Sequence, residues 1–267
     1  MRRLVAEEPL DLARAALAVA REEYPELDEG KYLRVLDRMA DGVQSGLPAG
    51  ATVERRVGRI NTYLFHELGF AGNHADYYDP RNSFLNDVLD RRLGIPLTLS
   101  IVYMEVGRRC GLQVDGVGFP GHFLCKVRVQ GGELVVDPFR RGQLLGVDDL
   151  KKLLASAVGE KVKFDPRLLQ PAKAREILVR MLQNLRGLYQ QRDDIPRALS
   201  AVDRILLLAP EDARALRERA QLYEKLGGSA AAVADLEKVL QLEPGAPDAE
   251  ALRARVLRLR GTSEYLN

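Results

Sequence analysis

A strict 34-residue repeat in the last third of the chain is the feature that most limits its fold. Seven positions recur with this spacing, and the residue types match at positions that include Tyr, Ala and Pro. The first copy has Leu182, Tyr189, Ala198, Val202, Ile205, Leu208 and Pro210, and the second has Leu216, Tyr223, Ala232, Leu236, Val239, Leu242 and Pro244. The apolar spacing predicts two helices per copy: a small Ala lets them approach, Tyr fills the angle between them, and Pro ends the second.

This period and these residue types are those of tetratricopeptide repeats. The sequence therefore predicts an all-α array of helical hairpins over residues 170–262, with residues 247–260 as a polar-faced capping helix. An unrelated helical bundle is the alternative, and the constant spacing disfavours it. Two hairpins bury little apolar surface, so we expect support from a helix near 173–180 or from the preceding domain.

The chain before the repeats changes from helical spacing to strand patterns. Apolar residues recur at helical spacing to about residue 70, followed by a polar loop at 71–83 and a helix beginning at Pro96 and ending at Arg109. Three strands then follow in "LQVDGVGF", "FLCKVRV" and "ELVVDPF". A helical region followed by an antiparallel sheet predicts an α+β domain over residues 1–165.

His122 opens one of these strands and Asp137 closes the next. A turn at Gly131-Gly132 pairs Lys126 with Asp137, and a shifted turn places His122 directly opposite Asp137; both registers keep the two side chains on one face. A His–Asp pair is the orienting half of a nucleophilic triad. The alternative is structural, because Asp before Pro commonly initiates a turn.

The stretch "RLGIPLTLSIVYMEVGRRCGLQVDGVGFPGHFLCKVRVQGGELVVDPF" resembles the core of transglutaminase-like, papain-related proteins. "YYDPRNSFLNDVLDRRLGIPLTLSIVY", with "PGHFL" and "DPF", is more closely similar to the bacterial SirB-type domain, a family that also carries C-terminal tetratricopeptide repeats. The resemblance covers roughly residues 30–160 and implies a papain/transglutaminase-like core. It also implies acyl-transfer chemistry, with His122 as general base, Asp137 orienting its ring, and a nucleophile at the start of the Pro96–Arg109 helix.

The chain departs from that family at the nucleophile, because no Cys stands where the helix begins. Cys110 lies at the far end of the helix, and Cys125 points to the opposite face of the strand from His122. We expect both thiols to be unbridged, unreactive core residues. Thr98 or Ser100 can supply a hydroxyl nucleophile; alternatively, Thr98 caps the helix and Ser100 packs, which the high pKa of an alcohol favours.

Other polar residues near these motifs have a chemical and a structural interpretation. Asn86 can donate to an oxyanion or brace the loop, and Tyr77 and Tyr78 can line a binding surface or pack the loop. Metal-ligand spacing is missing, so the sequence predicts neither a metal nor a cofactor. The residues of zinc-ligand type in this region are His66, His74, Asp76 and His122.

Forty Lys and Arg residues balance 38 Asp and Glu residues, which gives a formal net charge of +2. That charge disfavours binding to nucleic acid or to an anionic membrane. The opening segment resembles a signal peptide but is interrupted by charged residues, and no apolar run reaches about 18 residues, so we predict a cytoplasmic protein.

Two functions follow from these observations. The first is an adaptor or regulatory pseudoenzyme that binds a protein or peptide through the cleft and the repeat surface. The alternative is an amidase, protease or acyltransferase that uses Thr98 or Ser100 with His122 and Asp137. The sequence does not indicate an oligomeric state.

Overall fold

The computed structural model describes residues 9–264, with side chains described as far as Gly261. Residues 1–8, which include the predicted start of the first domain, lie outside the described residues. Thr262, the predicted end of the second domain, lies beyond the last described side chain. The chain divides into two compact units, and the boundary lies between Met181 and Leu182. The predicted domain limits, 1–165 and 170–262, stay predictions.

The first unit combines helices with a small sheet, so the predicted α+β class is confirmed. Its helices are α1 Leu12–Ala20, α2 Glu29–Ser45, α3 Val53–Asn61, α4 Leu85–Arg91, α5 Pro96–Arg109 and α6 Val147–Val158. Its strands are β1 Ala71–Gly72, β2 Leu93–Gly94, β3 Val114–Val117, β4 Leu124–Val129, β5 Gly132–Asp137 and β6 Gln143–Leu145. Thr52 caps α3, and a π-helical turn extends that helix to Glu67.

Helix α5 is the centre of this unit. Every residue from Pro96 to Gly107 is buried, as expected of a helix that is surrounded by other elements on all sides. Strands β3 to β6 form an antiparallel sheet in sequence order, and β1 pairs with β2 in parallel. One face of β4 lies against α5, where the Cys125 thiol contacts the Ser100 carbonyl at 3.6 Å.

The register between β4 and β5 differs from both predicted registers. Cys125 pairs with Val136 and Val129 with Gly132, which places Leu124 opposite Asp137. The turn is therefore formed by Gln130 and Gly131, and Gly131 supplies the required positive φ of 84°. The difference is an even number of residues, so His122 and Asp137 keep a common face.

The face that carries His122 and Asp137 also carries apolar side chains that pack in a core. Leu124 and Val135 lie on it and pack against Leu150 and Leu154 of α6. Strand β6 and helix α6, between residues 140 and 165, are additional to the predicted elements. The four-residue spacing of Leu150 and Leu154 was the available signal for this helix.

The repeats have the predicted helical form. The helices are α7 Ala174–Gln191, α8 Ile195–Leu208, α9 Ala213–Lys225, α10 Ser229–Leu242 and α11 Ala249–Glu264. Helix α10 begins and ends 34 residues after α8, and Ala198 and Ala232 are both fully buried. Helix α11 stands at the predicted capping position and buries Leu252 and Val256. Between residues 9 and 264, no helix has the length and apolar content needed to cross a membrane.

Candidate functional site

A tight turn before β4 sets the position of His122. The backbone N–H of His122 donates to the carbonyl of Phe119 at 3.0 Å. Gly121 has a φ of 66°, and a Cβ added there would lie 2.7 Å from the Cβ of Ala157 in α6. Glycine is needed at this position for both reasons, so the turn, the helix above it and the His side chain are fixed together.

Asp137 ends β5 and begins the turn Pro138–Arg140. Its Oδ1 accepts from the backbone N–H groups of Phe139, at 3.0 Å, and Arg140, at 3.3 Å. Its Oδ2 lies 2.9 Å from Nε2 of His122. Because a carboxylate has only acceptors, Nε2 is the donor, and Nδ1 of the neutral ring is left as an acceptor.

The pair is almost fully enclosed. Asp137 is 0% exposed and His122 is 8% exposed, so a ligand can reach only an edge of the imidazole. Arg140 stands at the rim, with its Nε 3.6 Å from Oδ2 of Asp137. The contact with Asp137 fixes the tautomer of the neutral ring, and the ring presents one hydrogen-bonding edge.

Phe139 joins the pair to the loop at 71–83. Its ring centroid lies 4.6 Å from that of His74, 6.0 Å from that of His122 and 6.1 Å from that of Tyr77. Tyr77 and its neighbour Tyr78 are 42% and 61% exposed, so this aromatic cluster reaches the surface. Burial raises the pKa of Tyr77, and the positive charge of Arg180 opposes that rise.

Asn82 holds the loop in shape. Its Nδ2 donates to the carbonyl of Asp76 at 2.7 Å, and its Oδ1 accepts from Nδ2 of Asn73 at 3.0 Å. Its own carbonyl accepts from the Thr98 hydroxyl at 2.7 Å. The loop is therefore tied internally and to the first turn of α5.

Both candidate hydroxyl nucleophiles are engaged away from the imidazole. Thr98 Oγ1, besides its bond to Asn82, accepts from the backbone N–H of Ile95 at 3.2 Å. Ser100 Oγ donates to the carbonyl of Phe123 at 3.4 Å and is buried. Among the described residues, neither hydroxyl hydrogen-bonds to the His122 ring, and their predicted catalytic roles stay untested.

The two thiols are unbridged, as predicted. Burial raises the pKa of Cys125 to about 12, and burial also raises the pKa of Cys110. Cys125 lies on the α5 side of the sheet, and Cys110 contacts the carbonyl of Ala40 at the far end of α5. Burial therefore disfavours the thiolate form of both residues.

Asn86 lies at a different cavity from the His–Asp pair. It lines a cavity of about 470 Å³ with Tyr24 and Tyr32, and its buried Oδ1 has no hydrogen-bond partner within residues 9–264.

Residues 9–264 contain no group of three or more His, Cys, Asp or Glu side chains arranged to hold a metal ion.

Sequence reasoning missed Arg180, which belongs to the first unit. Its Nη2 donates to the carbonyl of His122 at 2.6 Å, and its guanidinium lies 5.3 Å from the centroid of the Phe123 ring. Arg180 is 58 residues from His122 in sequence, and no local pattern links them. Phe139, by contrast, follows directly after the Asp–Pro pair, and its place in that motif was a usable signal.

A buried helix packed on an antiparallel sheet, with a His–Asp pair at the strand ends, defines a transglutaminase-like protein. Residues 30–183 match the family model described as "Transglutaminase-like superfamily", and residues 185–256 match a tetratricopeptide repeat model. The chain belongs to this superfamily, and within it to the bacterial UPF0162 proteins, the SirB-type family.

The relatives support this assignment. A UPF0162 protein of Xylella fastidiosa (strain Temecula1) is 40% identical over 96% of this chain and 92% of its own length. A UPF0162 protein of Pseudomonas aeruginosa is 34% identical over 89% of this chain and 87% of its own. Human F-box only protein 21 is 30% identical over 63% of this chain and 28% of its own. No solved structure matches the chain.

Proposed function

We propose that the protein is an adaptor or regulatory protein whose His122–Asp137 pair binds a peptide segment of a partner and catalyses no reaction on it. The observation that carries this proposal is the commitment of the Thr98 hydroxyl to the Asn82 carbonyl. The Ser100 hydroxyl is donated to the Phe123 carbonyl, so within residues 9–264 neither candidate hydroxyl is hydrogen-bonded to the His122 ring. A general base must lie within hydrogen-bond reach of the proton that it removes.

The geometry that remains suits binding. Asp137 fixes the imidazole so that Nδ1 is an acceptor, and a peptide N–H is the complementary donor. The exposed Tyr77 and Tyr78 supply amphipathic contact area in the aromatic cluster that contacts the His122 ring, and Tyr is common in binding surfaces.

The second unit supplies the other binding surface. Tetratricopeptide-type helix pairs present extended surfaces that proteins use for association, and residues 185–256 match that family. We also propose a cytoplasmic location, which two unpaired buried thiols support because disulfides are rare in reducing compartments.

Site-specific photo-crosslinking distinguishes the adaptor from the enzyme. A benzophenone amino acid at Tyr78, whose ring contacts Tyr77 of the aromatic cluster, is expected to capture a partner in cells, and His122→Asn is expected to abolish that capture. The same amino acid at Leu257, an exposed position of α11, is the matched control, and its products should not depend on His122.

The competing enzyme is tested on the same protein. Reagents that acylate or phosphonylate activated hydroxyl groups are applied to the native chain, and the products are mapped by mass spectrometry. We expect no adduct at Thr98 or Ser100. An adduct at either residue that disappears in His122→Asn would establish the enzyme, and crosslinking at Tyr78 that is indifferent to His122 would refute the binding role.

A further inference from the structure

Arg180 is a half-buried cation beside the His–Asp pair. Both hydrogen bonds that it makes come from Nη2, to the carbonyls of His122 at 2.6 Å and Phe119 at 3.5 Å. A guanidinium carries five N–H donors. Within the described chain, the N–H groups of Nε and Nη1 have no acceptor. Neither nitrogen is a buried, unpaired atom, so both are accessible to solvent.

No carboxylate neutralises this guanidinium in the part of the chain that the structure describes. Arg109, another partly buried arginine of the first unit, bonds to both Asp37 and Glu105. Arg180 has carbonyl oxygens and the face of Phe123 instead. A positive charge withdrawn from water without a counter-ion has an unfavourable desolvation energy, and burial accordingly lowers the pKa of Arg180.

The surroundings of Arg180 are those of the proposed binding site. Its bond to the His122 carbonyl ties it to the residue that carries the imidazole, and it lies close enough to Tyr77 to affect the pKa of that hydroxyl. Tyr77 in turn contacts Phe139, which contacts the His122 ring. A ligand that covers the aromatic cluster would therefore meet the free donors of Arg180.

We propose that Arg180 binds a carboxylate of the peptide that occupies this site. This inference rests on the proposed binding function and names the chemistry of the ligand. A carboxylate supplies the missing counter-charge and accepts charge-assisted hydrogen bonds from Nε and Nη1. The carboxylate belongs either to the carboxyl terminus of the partner or to an Asp or Glu side chain.

Three small peptides separate these sources in an NMR titration of the full-length chain. The probes are N-acetyl-alanyl-alanine with a free carboxylate, the same dipeptide as its carboxamide, and N-acetyl-alanyl-glutamate α-carboxamide. The readouts are the Nε–H signal of Arg180 and the ring signals of His122. We expect the free dipeptide carboxylate, the glutamyl peptide or both to shift these signals, and the neutral carboxamide to leave them in place.

Charge variants test the residue itself. Arg180→Gln is expected to weaken carboxylate binding at least about tenfold, because it removes the charged donors. Arg180→Lys keeps the charge with fewer donors and is expected to bind with intermediate affinity. Arg34→Gln removes one exposed positive charge from the same unit and should not change the affinity. If Arg180→Gln does not fold, the comparison of carboxylate with carboxamide in the natural chain still decides the matter.

The outcomes separate this inference from the function on which it rests. Equal binding of the carboxamide and the carboxylates, or unchanged affinity in folded Arg180→Gln, overturns the carboxylate assignment and leaves the crosslinking result at Tyr78 standing. If none of the peptides shifts the signals although crosslinking depends on His122, the carboxylate assignment is likewise wrong. If the native chain gives no crosslink at Tyr78 that depends on His122, the binding site as a whole is refuted.

Discussion

Replacing Asp137 tests whether the His–Asp contact organises the site. Asp137→Ala removes three hydrogen bonds from a carboxylate that is 0% exposed: one to Nε2 of His122 and two to the backbone of the following turn. A bond that involves a charged group contributes about 1.5–3 kcal/mol, and the loss of a capping side chain about 1 kcal/mol. We therefore expect a loss of about 3 kcal/mol in the free energy of unfolding of the first unit.

Asp137→Asn separates the two contributions. The amide oxygen of the new side chain can still accept from the backbone of the turn. Its NH₂ group then faces Nε2 of His122 and can only donate, so Nε2 must be the acceptor and the ring proton moves to Nδ1. We expect a smaller loss, about 1 kcal/mol. The ¹⁵N chemical shifts of the imidazole should report the exchanged tautomer.

Asp165 offers a matched control in the same unit. It also precedes a proline, and its side chain accepts from the backbone N–H of Arg167 at 2.8 Å, but it is not bonded to a histidine. Asp165→Ala should lower the stability less than Asp137→Ala does. Hydrogen exchange of the β4 and β5 amides measures the first unit separately from the repeats.

Two results would contradict this reasoning. If Asp137→Ala destabilises the β4 and β5 amides no more than Asp165→Ala does, the buried contact with His122 contributes nothing. If the imidazole of Asp137→Asn keeps its proton on Nε2, Asp137 does not set the tautomer, and the acceptor edge assumed for the binding site has another origin.

Three further predictions use the same protein. Thr98→Val removes the hydrogen bond to the Asn82 carbonyl and should lower the free energy of unfolding by about 1–2 kcal/mol. Ser100→Ala loses only a 3.4 Å hydrogen bond and should have a smaller effect, and hydrogen exchange measures both. Burial raises the pKa of Cys125 to about 12, so thiol reagents between about pH 7 and 9 should label it only after the protein is unfolded by urea; labelling of the native protein would refute its burial. Gly121→Ala should destabilise the turn by at least about 1 kcal/mol through its positive φ and its contact with α6, and an unchanged melting temperature would contradict this.

The sequence alone determined the features that depend on local spacing. The 34-residue period predicted the helix pairs because each repeat is one local unit, and the bounds of α8 and α10 reproduce that period. Pro96 and Arg109 bounded α5 correctly because helix ends carry local signals. The common face of His122 and Asp137 also followed from sequence, since the two-residue periodicity of a strand survives any even shift of register.

What these side chains contact depends on how distant elements pack. The register itself depends on whether the positive φ of the hairpin turn falls at Gly131, and two adjacent glycines leave that choice open. The hydroxyl of Thr98 is directed to the Asn82 carbonyl by the packing of a loop against α5, and Arg180 meets His122 across 58 residues of chain. Contacts between residues far apart in sequence form when elements pack, so no periodicity or local motif encodes them, and the chemistry of the site depends on these contacts.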